Sequence, residues 1–287
     1  MIDLHVHSTA SDGTNGPAEL AEIAARAGLS AFALTDHDTL EGLSEARDAA
    51  KAHGVRLVPA CEISCEVEHG TMHLLVYFLE DRPGPLQDRL STLQSGRAGR
   101  NERIVEALQS NGVELSIEEV LEEAGGGSVG RPHLAAVLLR KGYVSSIQDA
   151  FDTWLARGRP AYFERERLSP EESISLARAS GAVSVLAHPG TLSMETAELD
   201  SFVAELASMG LDGIEAEYAR YERHQRDTYH QLAEKHGLCS TGGSDYHGDY
   251  KPGLAMGTGL GDLKVPDDYL TALETRLASR RLPAEQA

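Results

Sequence analysis

Six histidines and three carboxylates of this 287-residue chain stand where they could hold transition metals. The first two are His5 and His7, in Ile2-Asp3-Leu4-His5-Val6-His7, where polar and aliphatic residues alternate. Alternate residues of a strand share a face, so both imidazoles project to one side while Ile2, Leu4 and Val6 pack behind them. Two neutral imidazoles held side by side make half of a transition-metal site; a hydrogen-bonded pair of core histidines is the plainer alternative. The other seven decide between them: Asp12 in Ser11-Asp12-Gly13, His37 in Thr35-Asp36-His37-Asp38, Glu62, His73, His188 in Ala187-His188-Pro189-Gly190, and Asp245 and His247 in Gly243-Ser244-Asp245-Tyr246-His247. An imidazole–carboxylate set without thiolates suits Mn2+, Fe2+ or Zn2+ and disfavours a structural zinc of the cysteine type.

The elements between these residues must bring them together. Periodicity predicts strands over 2–6, 31–35, 55–60, 72–78, 182–187, 213–218 and 238–242, and helices over 17–27, 41–53, 171–180, 195–209 and 220–236. Pro17 suits a first helical turn, and Gly28 and Gly54 suit helix ends. Seven strands mostly separated by helices imply an α/β fold with a largely parallel sheet, wound open or closed into a barrel. From 81 to 168 only helical periodicity appears, broken by Arg82-Pro83-Gly84-Pro85 and Gly125-Gly126-Gly127. Residues 82–168 are therefore expected as a helical insertion into an α/β unit made of 1–81 and 169–287. Nearly all nine residues follow a predicted strand, the edge at which barrels and open sheets place their sites. Glu62 is read as following the third strand, and His73, at the start of the fourth, is the exception. His53, His69, His224, His230 and His236 read as satisfied surface or core residues, and the last twenty or so residues as a surface helix with a frayed end.

Composition narrows the function. A net charge of −19, from 45 acidic against 26 basic residues, argues against a broad grip on duplex DNA or an anionic membrane. It leaves room for a small anionic substrate, because clustered metal ions supply positive charge locally. There is no apolar run near membrane-spanning length, and Met1 leads directly into the first predicted strand, so no signal peptide is expected. Cys61, Cys65 and Cys239 lack C-x-x-C spacing and read as reduced thiols of a cytoplasmic protein. A monomer is the default expectation.

The run H-x-H-S-x-x-S-D-G, then T-D-H-D, E-x-S, A-H-P-G and G-S-D-x-H resembles the polymerase-and-histidinol-phosphatase (PHP) family of metal-dependent phosphoesterases, over residues 2–80 and 182–250. The resemblance implies a distorted seven-stranded β/α barrel of TIM-like form carrying two to three divalent ions. By that pattern one metal takes His5, His7, Glu62 and Asp245; a second shares Glu62 and adds His73 and His188; a third takes Asp12, His37 and His247. Asp12 stands where some relatives have histidine, which makes the third site richer in oxygen. Glu62 is the acid placed to bridge, since each of its oxygens can take a metal. Paired ions lower the pKa of a coordinated water towards neutrality, so hydroxide is the expected nucleophile, and they offset phosphoryl charge. Ser8, Ser11 and Ser64 then read as supporting or turn residues.

Gly130-Arg131-Pro132-His133-Leu134-Ala135 further resembles the branch that dephosphorylates nucleoside 3′,5′-bisphosphates and trims short RNA from its 5′ end. The expected substrate is a small nucleotide phosphate or bisphosphate, with a short oligoribonucleotide as an extension and inorganic phosphate as product. Arg131 is expected to grip the phosphate, and His133 to hydrogen-bond it or protonate the leaving oxygen; the plain alternative is an amphipathic helix entry. Arg97, Arg100 and Arg103 lie three apart and read first as a solvated helical face, second as a grip on another phosphate. Of Glu215 and Glu217, one is a candidate support for the ligands. Two other functions compete. Amidohydrolase-type C–N hydrolysis shares the H-x-H, but Lys51, Lys141, Lys235, Lys251 and Lys264 all fall away from predicted strand ends, where a bridging lysine would sit. A non-catalytic PHP module is expected to have lost ligands, and none is missing here.

Overall fold

Strand β1 (Ile2–Val6) pairs in parallel with β2 (Ala31–Leu34), and β2 with the first half of β3 (Arg56–Cys65), each return passing through a helix: α1 (Pro17–Arg26), then α2 (Leu43–His53). The computed structural model describes residues 1–125, 129–164 and 166–281, the side chains of Arg97, Ala98 and Arg281 excepted. Gly54, at φ 70°, ends α2 in the left-handed conformation that glycine adopts without steric cost. The sheet continues in chain order through β4 (Met72–Tyr77), β5 (Val183–Leu186), β6 (Gly213–Tyr218) and β7 (Cys239–Gly243). The segment after β7 returns to β1, with Asp245 N–H donating to His5 O at 2.8 Å and His7 N–H to Tyr246 O at 2.9 Å. The result is a nearly closed α/β barrel.

Two pairings depart from the parallel rule, β3–β4 and β4–β5. The third strand is also longer than the expected 55–60. Cys61, Ile63 and Cys65 continue its alternation into the outer core, so Glu62 lies inside β3 rather than after it. The reversal of β4 explains His73. An antiparallel strand starts at the rim where its parallel neighbours end.

The barrel interior is filled, not open: Leu4, Ala33, Ala60, Leu75, Tyr77 and Val185 pack into one cluster. Val6 departs from the expected pattern. It packs outside, with Leu20, Phe32 and Leu34, while Ile2 and Leu4 face inward, because the β1–β2 register shifts between Asp3 and Val6.

Between β4 and β5 lie α3 (Pro85–Ser110), α4 (Ile117–Glu123), α5 (Arg131–Arg140) and α6 (Ile147–Ala150), the last running into a π turn at Phe151–Leu155. Ser116 and Glu119 cap α4 reciprocally. Helix α3 serves two cores: Leu86, Leu90 and Leu93 pack on the barrel, whereas Ile104, Val105 and Leu108 pack with Leu134, Val137 and Leu138. Of the expected Gly125–Gly127 break, the last two residues lie outside those described. After β5 come α7's successors in the alternating pattern, α8 (Thr196–Met209) and α9 (Arg223–Lys235), α7 (Pro170–Ala179) having led into β5; α10 (Asp267–Arg281) closes the described chain.

Candidate metal centre

All nine sequence-derived candidates meet at one rim of the barrel, and Glu62 is at their centre. Its Oε1 lies 2.8 Å from His73 Nδ1 and 2.9 Å from His188 Nε2. Its Oε2 lies 3.2 Å from His5 Nε2, 3.1 Å from His7 Nε2 and 3.2 Å from His37 Nδ1. Asp245 Oδ1 stands 3.5 Å from His5 Nε2 and 3.3 Å from His7 Nε2. Around Asp12 stand His7 Nδ1 at 3.5 Å, His37 Nε2 at 3.7 Å and His247 Nε2 at 3.4 Å. The donor atoms form four overlapping sets, each within 4.8 Å: His7, Asp12, His37 and His247; His5, His7 and Asp245; His5, Glu62 and His188; His37, Glu62 and His73.

Close approach of backbones makes this convergence possible. A Cβ on Gly243 would fall 2.3 Å from His5 Cβ, and one on Gly13 would fall 2.4 Å from His7 O. His188 (φ 26°) and Asp245 (φ 54°) sit in the left-handed region, a cost of order 1–3 kcal/mol each that the surrounding contacts must offset.

The donor set fits divalent ions. His5 Nε2 and both ring nitrogens of His7 are buried without an aligned hydrogen-bond partner, although carboxylate oxygens are close by. Glu62, Asp12, Asp245 and Glu215 are buried or nearly so, and Lys251, contacting Asp245 Oδ2, is the one non-histidine cation paired with them among the described residues. Burial would push Glu62 up, but the imidazoles of His37, His73 and His5 and the His188 hydrogen bond hold it well below the usual carboxylate range. Burial likewise opposes ionisation of Asp12 and Asp245, and the neighbouring imidazoles, with Lys251 for Asp245, outweigh it.

Without a cation, protons take the vacant electrostatic role. Burial disfavours charged His5, yet Glu215, Glu62 and Asp245 raise it well above its ordinary value. Against the same burial, the nearby carboxylates of Asp245, Glu62 and Asp12 lift His7 to about 9. Burial dominates at His37, pushed down to about 3, and at His247, also lowered. A raised imidazole stabilises the fold fully below its ordinary value of 6.5, and that contribution is lost as pH climbs through about 9. Chelator-treated protein is therefore expected to lose Tm from pH 6.5 to about 9, while Mn2+-loaded protein gains over the same interval because metal displaces those protons. A chelated protein whose Tm rises across that window would contradict the picture.

Arg131 and His133, the insertion's candidates, are set at the start of α5 over the rim. A cavity of about 150 Å3 is lined by Arg131 and Arg100 together with Asp12, His37 and His73. Arg131 donates to Leu155 O at 3.0 Å and lies 5.6 Å from the ring centres of both Phe151 and Tyr162. Among the described residues no carboxylate pairs with it, and burial lowers its pKa. His133 Nδ1 accepts the Gly130 N–H at 3.0 Å, which leaves the ring proton on Nε2. Arg100 is buried, contrary to the solvated face expected of it, whereas Arg103 stacks on Phe163; the Arg97 side chain is outside those described.

Sequence reading missed several supporting residues. Asp36 accepts from the hydroxyls of Ser8 and Ser11, both at 2.6 Å, and so fixes the loop that carries Asp12. Asp3 accepts from Ser244 and Gly257 and ties β1 to the segment carrying Asp245. Both are polar residues one or two positions from a candidate ligand, which is the signal that could have found them. Glu215 contacts His5, Tyr218 donates to Asp245, and Glu217 instead pairs with His230.

An α/β barrel with imidazoles and carboxylates gathered at one rim is the architecture of a metal-dependent hydrolase. The PHP domain model matches residues 3–157, and the chain belongs to the PHP family. It is 33% identical over 252 residues to the 5′-3′ exoribonuclease Rnm of Escherichia coli, covering 86% of this chain and 85% of that one. It is 28% identical over 257 residues to the 3′,5′-nucleoside bisphosphate phosphatase of Chromobacterium violaceum, covering 89% and 90%. A crystal structure from Bifidobacterium adolescentis, described as a metal-dependent phosphoesterase, superposes with a TM-score of 0.83 at 30% identity over 99% of this chain and 97% of that one. No helix among the described residues is long and apolar enough to cross a membrane.

Proposed function

We propose that this phosphoesterase removes phosphate from a nucleoside 3′,5′-bisphosphate or a related small nucleotide, with short RNA 5′ ends as an extended substrate. The observation that carries the reading is Glu62, whose two oxygens divide five imidazoles between them within 3.2 Å. His5, His7, Glu62 and Asp245 would hold one ion, Glu62, His73 and His188 a second, and Asp12, His37 and His247 a third, filled by Mn2+, Fe2+ or Zn2+. Such ions lower the pKa of water towards neutrality and offset phosphoryl charge.

The chain's own residues do the rest. Glu62, with an oxygen for each, would tie the two main sites together. Arg131, a half-buried guanidinium that pairs with no carboxylate among the described residues, lines the same cavity as Asp12, His37 and His73 and binds the phosphate. Arg100, lining the same cavity, is placed for a second phosphate. His133 holds its proton on Nε2, ready to donate to the phosphate or the leaving oxygen. Residues 82–168 form the insertion that bears these groups over the barrel of 1–81 and 169–287. Three free thiols suit a cytoplasmic protein, working as a monomer.

The test is phosphate release by Mn2+-loaded protein from adenosine 3′,5′-bisphosphate, AMP and a 5′-phosphorylated trinucleotide, beside an amide substrate. Release from the bisphosphate is expected. Amide hydrolysis without phosphate release would favour the amidohydrolase reading, and no turnover of any of them would leave a non-catalytic module.

A further inference from the structure

Strand β6 supplies none of the nine proposed ligands, yet it touches three of them. Ile214 and Ala216 pack outward into the core around the barrel, so Glu215 points to the rim, fully buried. Its Oε1 lies 2.9 Å from His5 Nδ1, and its Oε2 accepts the His188 backbone N–H at 2.7 Å. Tyr218, past a register shift between Glu215 and Glu217, donates its hydroxyl to Asp245 Oδ2 at 2.8 Å and sets its ring edge-on to His188 at 5.4 Å. These contacts select atoms. With Nδ1 of His5 bound to Glu215, the nitrogen left facing Glu62 and Asp245 is Nε2. With Oδ2 of Asp245 held by Tyr218 and Lys251, the oxygen left facing His5 and His7 is Oδ1. The bond to His188 N–H holds a backbone at φ 26° that would otherwise relax.

We infer that Glu215 and Tyr218 are positioning residues for the metal centre, orienting His5, His188 and Asp245 from a strand that carries no ligand. The inference rests on the metal-centre reading above. A carboxylate behind a ligating imidazole typically contributes 10–100-fold to metal affinity. Its cause is geometric: the ligand atom no longer has to be turned towards the ion when the ion arrives.

The experiment titrates chelator-treated wild-type protein, Glu215→Gln and Tyr218→Phe with Mn2+, reading bound metal by calorimetry and free Mn2+ by its spin resonance. Glu215→Gln is expected to bind Mn2+ about 10–100-fold more weakly, with kcat recovering at saturating Mn2+. Tyr218→Phe is expected to shift in the same direction. A purely structural role would lower Tm with and without metal and leave Mn2+ affinity unchanged, and that result overturns the inference. Should Glu215→Gln fail to fold, Tyr218→Phe decides on the same criterion. Wild-type protein that takes up no Mn2+ overturns the metal-centre reading and this one with it; wild-type uptake with unchanged variants overturns this one alone.

Discussion

Glu62→Gln is expected to cut kcat/KM on the order of 10³-fold and to lower metal content in the same preparation. The loss should exceed the 10–100-fold typical of an outer-shell partner, because the residue itself is the proposed shared ligand. The substitution is nearly isosteric, so packing within β3 is kept. What changes is charge and donor capacity: the amide nitrogen can no longer accept from any of the imidazoles around it. One of the two groups, His73 with His188 or His5 with His7 and His37, loses its oxygen whichever way the amide turns. Metal analysis of the purified variant beside its kcat/KM checks this. Retained activity with wild-type metal content would sink the bridging role.

How much of this was legible beforehand follows from what period-2 alternation can and cannot say. His5 and His7, and Asp245 and His247, are two residues apart, so a single strand or its extension fixes their relation. The meeting of β1, β3, β5 and β7 is non-local, and it came from the ordered set of motifs rather than from any one of them. Alternation also runs on through Cys61, Ile63 and Cys65, past Ala60, where the expected strand stops. The reversal of β4 and the register shift in β1 were not encoded in periodicity, because strand direction and bulges depend on the neighbour. Arg100 shows the same limit on a helix. Spacing of three names a face, but the cavity that Arg100 lines is completed by the start of α5 and the π turn, which are distant in sequence.

Arg131→Ala is expected to raise KM for a nucleotide substrate on the order of 10²-fold, since a charge-assisted hydrogen bond is worth about 1.5–3 kcal/mol. Metal content should stay at the wild-type level, which separates this residue from Glu62. Alanine also deletes the side-chain bulk beside Phe151 and Tyr162, so Arg131→Met, which keeps an unbranched apolar side chain, better isolates the loss of charge. Arg131→Lys restores the charge without the planar fork and should recover only part of the loss. The contrast has a stability side. A half-buried guanidinium that pairs with no carboxylate among the described residues costs the fold free energy, and an anion entering the cavity reduces that cost. Inorganic phosphate should therefore raise the Tm of the wild type more than that of Arg131→Met. An unaltered KM in both Arg131→Ala and Arg131→Met would return Arg131 to its other role, the first turn of α5 held by Leu155 O.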